Sequence, residues 1–249
     1  MPWLSDVPIN PLRRRGREML ANPHVTHGMV CQALADPVRQ RTLWRFELDP
    51  RRAHLIVLTE SKPSWAHVIE SAGWEDADGA EARIASLEPL LALVVLGRQF
   101  SFKVCVNPVS ATQKPEGAAL ASRIERARAE SGGRVRGARV AQRTAAQQTN
   151  WFLARVAGWG FKIPPVEGPL VESGAPDLIL GARRTMTFWK GGSAPVPVTL
   201  STATFTGRLE IIDPVLFRTS LLEGIGRARA YGCGLITLGP PNEPSSLDG

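Results

Sequence analysis

Paired cysteines are missing from this chain. Its three cysteines, Cys31, Cys105 and Cys233, stand far apart in apolar surroundings, and none belongs to a Cys-x-x-Cys pair. Neither a disulfide framework nor a cysteine zinc site is expected, and buried thiols in a reducing, cytoplasmic setting are. Histidine is scarce, with four in 249 residues. No Gly-x-Ser-x-Gly elbow occurs, and no clustered carboxylates suggest a two-metal nuclease. The expectation is therefore no metal and no cofactor. No apolar run approaches the roughly 18 residues of a membrane helix. Residues 1–6 show no basic stretch leading into an apolar core, so no export signal and no membrane are expected.

What is present is charge of one sign. Lys and Arg number 30 against 23 Asp and Glu, a net charge of +7, and arginine supplies nearly all of the excess. Such a balance points to a polyanionic partner, nucleic acid first and an anionic membrane second, although compositional bias toward arginine produces the same excess. An apolar fraction of 43% supports real cores. The length suits one large domain or two of about 100–125 residues.

Residues 223–238 organise the chain. Four glycines, Gly224, Gly226, Gly232 and Gly234, and two arginines, Arg227 and Arg229, precede the apolar run from Leu235 to Leu238. The glycines permit positive φ and close backbone approach, and the arginines put positive charge beside exposed amides, which suits phosphate. The order is helix, loop, strand, with no closing Gly-Lys-Ser/Thr, so neither a P-loop nor a dinucleotide fingerprint fits. A tight turn before an edge strand, with two solvated arginines, is the plain alternative.

Upstream, residues 3–9 read as a strand, followed by the basic run Arg13-Arg14-Arg15-Gly16-Arg17. Asn22 and Pro23 open a helix, and Asp36-Pro37 ends it. Residues 42–48 and 54–59 read as paired strands. Residues 80–96 read either as a helix interrupted by Pro89 or as a helix and a buried strand at 91–96. Residues 99–106 alternate Phe100, Phe102, Val104 and Val106 on one face and read as a strand. Residues 144–157 read as a helix and 158–182 as loop. A hairpin is expected from strands 185–189 and 196–199, then a separate strand at 204–212, and a helix opened by Asp213-Pro214. The pattern is α+β, two tandem ferredoxin-like (RRM-like) domains. The expected division is 1–110, a basic Arg/Gly-rich linker at 111–142, 143–240, and a frayed tail at 241–249.

His24 and His27 lie three apart and share one face near a helix start. Two imidazoles there can divide acid and base roles near neutral pH, or both can sit on a solvated first turn. A metal pair at this spacing lacks an evident third ligand. His54 and His67 are expected to be structural.

Together these residues resemble the CRISPR repeat-processing endoribonucleases of the type I-E Cascade complex, the CasE family of the RAMP superfamily. Gly224-Ile225-Gly226-Arg227-Ala228-Arg229-Ala230-Tyr231-Gly232-Cys233-Gly234-Leu235 is similar to the family's glycine-rich loop nearly residue for residue. Phe102-Lys103-Val104-Cys105-Val106-Asn107-Pro108, Gln147-Gln148-Thr149-Asn150-Trp151-Phe152 and Phe205-Thr206-Gly207-Arg208-Leu209 resemble further family segments.

The resemblance implies metal-independent cleavage at the base of a repeat RNA hairpin. A 2′-OH attacks the adjacent phosphate, leaving a 2′,3′-cyclic phosphate and a 5′-OH, and the protein stays with the crRNA beside other Cascade subunits. His27 matches the family's catalytic histidine. His24 stands where the family has tyrosine, and Cys31-Gln32-Ala33 where some members have a lysine. Charge stabilisation is then expected from residues 13–17 or Arg39. Expected RNA contacts are Arg13, Arg14 and Arg15, Arg134, Arg136 and Arg139 of the linker, Arg183, Arg184 and Lys190 of the hairpin, and Gly224, Gly226, Arg227, Arg229, Tyr231, Gly232 and Gly234 of the loop. The competing reading is a ferredoxin-like subunit that holds an RNA hairpin without cutting it.

Overall fold

The computed structural model describes residues 1–38, 40–48, 53–74, 81–112, 121–122, 125–126, 129, 138–166, 174–190 and 196–241. Strand β1 (Trp3–Ile9) alternates, with Val7 and Ile9 fully buried on one side. Helices α1 (Arg14–Ala21) and α2 (Pro23–Gln32), strands β2 (Leu43–Leu48) and β3 (Ala53–Thr59), helix α3 (Ala66–Ala72) and strand β4 (Arg83–Ser86) follow. The strands pair antiparallel in the order β2-β3-β1-β4. Val7, Ile9, Leu55 and Val57 of the sheet meet Met19, Met29, Val30 and Val68 of the helices in one core. This is the ferredoxin-like arrangement, with both helical segments on one face.

A short helix, α4 (Glu88–Ala92), leads to β5 (Gln99–Val106). Strands β6 (Val109–Thr112) and β7 (Ala138–Ala141), helix α5 (Ala145–Leu153), strands β8 (Phe161–Lys162), β9 (Leu178–Lys190) and β10 (Val196–Ile211), helix α6 (Pro214–Glu223) and strand β11 (Ile236–Gly239) follow. The second sheet runs β11-β5-β10-β8, with β9 also on β10. The α+β reading with two ferredoxin-like units therefore holds. The second core is aromatic: Phe152 stacks on Phe205 at 4.3 Å between ring centroids and also packs on Phe102 and Phe161.

Several expectations change. Gln99–Val106 was expected within the first unit, yet it pairs with β10 and β11, because its alternating face completes the second core. The first sheet is closed instead by the four-residue β4. Pro89 sits in the first turn of α4, where its missing N–H is no loss. Residues 93–96 are not a strand; Val94 is buried while Leu93, Val95 and Leu96 are exposed. The linker's ends pair as the ribbon β6–β7, and most of its middle lies outside the described residues. The hairpin's second strand and the separate strand at 204–212 are one strand, β10, with a register shift between Ala203 and Phe205. Strand β9 reaches back to Leu178, into the stretch read as loop. Helix α5 ends at Leu153, after a capping box of Thr144 and Gln147. The tail from residue 242 lies outside the described residues.

The two units meet along β2. Arg45 is 4% exposed and donates to the Lys103 and Leu235 carbonyls at 2.9 Å each, to Thr237 Oγ1 at 2.7 Å and, through Nε, to Glu47 Oε1 at 2.8 Å. Glu47 also takes the Lys103 ammonium. Burial works against the Glu47 charge, but Arg45 and Lys103 together hold its carboxyl below the ordinary range. Leu43 packs with Leu235 in a small cluster beside this network.

Replacing Arg45 by Met is expected to destabilise the chain by about 1–3 kcal/mol for each buried carbonyl it leaves unpaired. Urea unfolding measures this. An unchanged midpoint would show that the seam does not depend on the guanidinium.

Candidate active site and nucleic-acid interface

Helix α2 begins as its sequence demands. The Asn22 side chain accepts from the His24 N–H at 3.0 Å, and Pro23 occupies the first turn. Thr26, fully buried, donates to the Met19 carbonyl at 2.7 Å and fixes the α1–α2 corner. His24 and His27 therefore project from a pinned first turn, and both are half-buried. Burial, and secondarily the charge of His24, pushes His27 below its ordinary value of 6.5. Its imidazole is mostly neutral at pH 7 and able to accept a proton. Cys31 Sγ lies 3.7 Å from His27 Nε2, and burial raises the thiol, which stays protonated.

His27 opens into a cleft of about 990 Å³ between the units, lined also by Cys31, Arg41, Glu60, Glu223 and Arg229. Arg41 precedes β2, Glu223 ends α6 and Arg229 belongs to the glycine loop. Arg41 pairs with Glu223 at 2.9 Å. Arg229 Nε donates to the Gly226 carbonyl at 3.2 Å. Burial and then the Arg41 charge push the Arg229 guanidinium below its ordinary value, partly countered by Glu223. A neutral imidazole and two guanidinium groups around one cleft can bind a phosphate and remove a proton beside it. His24 is not among the residues lining this cleft.

The other expected contacts are dispersed. Arg14 and Arg15 pair with Glu18 at 2.8 and 2.9 Å, and with Arg13 they line a shallow pocket that shares no residue with the His27 cleft. Charge stabilisation from Arg13, Arg14 or Arg15 is thus not built in, and Arg39, Arg134 and Arg136 lie outside the described residues. The backbone of Arg139 pairs with Ala111 in the ribbon. Arg183 and Arg184, adjacent on β9, part company. Arg183 Nε donates to Gln148 Oε1 at 2.8 Å, whereas Arg184 lines a second cleft of about 590 Å³ with Lys103 and Tyr231. Lys190 ends β9, exposed.

In the glycine loop, Arg227 is exposed. Tyr231 meets Phe188 edge-on at 4.9 Å, tying the loop to the long hairpin. Three loop glycines serve packing. A Cβ on Gly224 would stand 2.7 Å from Leu43 Cδ2, one on Gly232 2.8 Å from the Trp44 ring, and one on Gly234 2.5 Å from the Ile225 carbonyl oxygen. Gly226, at φ 71, has only ordinary contact with Trp151. The loop's special backbone is thus used chiefly to seat it on β2. His54 pairs with Asp6 at 2.7 Å and His67 contacts the Met29 carbonyl oxygen at 3.0 Å, as structural histidines would. Among the described residues no three His, Cys, Asp or Glu side chains are grouped as a metal site requires, and no helix is long and apolar enough to cross a membrane.

Sequence reasoning missed Arg41 and Arg45. The signal for Arg45 was its place between Leu43 and Glu47 on one face of an apolar strand; Arg41 carried none.

The profile of the family described as "CRISPR associated protein" matches residues 2–240. The chain belongs to this family. The resemblance drawn from the glycine loop and the flanking strands stands with it. A relative, the CRISPR-associated endoribonuclease Cse3 of Thermus thermophilus, is 28% identical over 246 residues, covering 96% of this chain and all of that protein. The structure of Thermus thermophilus Cse3 bound to an RNA representing a pre-cleavage complex superposes with a TM-score of 0.72 at 24% identity, over 96% of this chain and 99% of that one. Cas6e from Escherichia coli K-12 does so with 0.59 at 20% identity, over 96% and 99%. These likenesses cover both ferredoxin-like units.

His27 is expected to titrate below 6.5, and His24→Ala to raise that midpoint by removing a nearby positive charge. Proton NMR of the imidazole resonances reads both. A midpoint at or above 6.5, or no response to the substitution, would refute the environment described.

Proposed function

We propose that this protein is a metal-independent, cytoplasmic endoribonuclease that binds the CRISPR repeat hairpin in precursor RNA and cuts at the stem base. It then stays on its product as a subunit of the Cascade assembly. The observation that carries this reading is the half-buried His27, held neutral, opening into a cleft with Arg41 and Arg229. The relative named an endoribonuclease and the family neighbour bound to a pre-cleavage RNA support the substrate class. Structures described as CRISPR RNA-guided surveillance complexes contain chains of the same fold, which supports the assembly.

In the proposed reaction, His27 removes the 2′-OH proton, the 2′-oxygen attacks the adjacent phosphorus, and the bond from phosphorus to the 5′-oxygen breaks. The products are a 2′,3′-cyclic phosphate and a 5′-OH. His24, whose charge already biases His27, is the proposed proton donor to the departing oxygen. Its place outside the cleft lining makes it the less essential of the two. The basic residues of the hairpin and loop, Arg184, Lys190 and Arg227, are proposed to hold the stem by its phosphates, with the hairpin straddling the groove. Arg13, Arg14, Arg15, Arg183 and Arg229 supply further positive potential.

Cleavage of the cognate repeat hairpin in EDTA tests this reading. Wild type is expected to cut at the stem base and leave a cyclic phosphate. His27→Ala should bind but cut at least about 100-fold more slowly, the scale of a lost general base, with His24→Ala between the two. If wild type binds the hairpin tightly and leaves it whole, the non-cleaving subunit is the correct reading.

A further inference from the structure

Attack by the 2′-oxygen builds negative charge on the phosphoryl oxygens, and a site without preorganised positive charge meets that charge poorly. Helix α2 carries no lysine or arginine. The arginines of α1 line a different pocket. Among the described residues, the arginines that share the cleft with His27 come from either side of the seam, Arg41 from the first unit and Arg229 from the second. Resting on the nuclease reading, we propose that Arg41 and Glu223 form a latch across this cleft. Glu223 holds Arg41 when RNA is absent, the scissile phosphate takes the place of Glu223, and Arg41 with Arg229 then offsets the charge of the transition state.

The geometry has the features of an exchangeable partner. The Arg41–Glu223 contact is a single bond of 2.9 Å between side chains 49% and 56% exposed. Exposed pairs of this kind contribute little and break readily. Thr42 and Leu43, which follow Arg41, are buried, so the segment stays in place when the guanidinium changes partner. Arg229, by contrast, is tied to the Gly226 carbonyl and is more buried than Arg41. Its charge is opposed by burial and by Arg41, with Glu223 compensating only in part. Glu223 is thus bonded to one guanidinium, Arg41, and acts on the other, Arg229, only through its charge, while Glu60, the second carboxylate of the cleft, meets the Arg41 backbone. A phosphate between the two guanidinium groups satisfies both, and guanidinium is the side chain best shaped for two-point contact with phosphate. Arg41 moves no proton in this scheme; it contributes charge and hydrogen bonds alone.

Single-turnover cleavage under saturating protein reads the chemical step, and binding of an uncleavable 2′-deoxy hairpin reads affinity separately. Arg41→Ala is expected to slow cleavage about 100- to 1,000-fold, the scale of one lost charge-stabilising donor. Its affinity should change by no more than about fivefold, the scale of one exposed ion pair. Arg41→Lys should recover part of the rate, because it keeps the charge and loses the fork. Arg41→Gln, of similar length, stands in if the alanine variant melts early. Glu223→Gln should tighten RNA binding at low salt, with the gain fading as salt screens the site.

If the Arg41 variants cut at the wild-type rate while His27→Ala does not cut, the latch is wrong and the nuclease reading survives. If Glu223→Gln abolishes cleavage, the carboxylate belongs to the chemistry and the latch is again wrong. If wild type leaves the RNA whole, both fall together.

Discussion

A buried guanidinium is tolerable only when its donors are met, because desolvation of the charge otherwise outweighs its attractions. Arg45 meets that demand with groups from both units: Glu47 on its own strand, Lys103 on β5, Thr237 on β11 and Leu235 just before it. Strand β2 is thereby held against the second sheet. Leu43 and Trp44, its neighbours, become the surface on which Gly224 and Gly232 rest. The glycine loop so seated carries Arg229 into the cleft that His27 opens on. Each step depends on the one before, so the local geometry of the cleft follows from how one charged side chain was buried.

Local signals in the sequence were reliable where the physics is local. Asn22-Pro23 and Asp213-Pro214 open helices because a side-chain acceptor and a missing N–H suit a helix start, and the structure has both. Alternation at Phe100, Phe102, Val104 and Val106 does mark a strand. Alternation says only that one face is buried, however, and not in which core. That is why β5 could be read into the first unit, although its apolar face belongs to the second. The same limit merged poorly at β10, where a bulge breaks the pairing register while the strand itself continues.

The histidine helix and the glycine loop each stood out in the sequence as parts of a candidate site, but their meeting at one cleft did not. Positive φ at Gly224, Gly226, Gly232 and Gly234 follows from residue type. The reason three of them are glycine lies in Leu43, Trp44 and the Ile225 backbone, which no spacing announces. Arg13, Arg14 and Arg15 form the most conspicuous charge run, yet Glu18 one turn along engages two of them. Arg41 follows Arg39 by two residues in a stretch with no recognisable motif, yet it reaches the cleft because the chain turns into β2 there. Pairwise proximity across 182 residues of chain, as between Arg41 and Glu223, is a property of the closed fold alone.

The acceptors that quench Arg45 in the second unit include Leu235 and Thr237, 190 and 192 residues further along the chain. Closing so long a loop costs more chain entropy than a local contact does. A ribosome delivers His24 and His27 early and the last strand much later. During that interval the first unit can fold around its own core, but the cleft has only one wall. The order of synthesis therefore separates possession of the imidazoles from possession of the cleft: a growing chain carries both histidines before Glu223 and Arg229 have been made to close the other side.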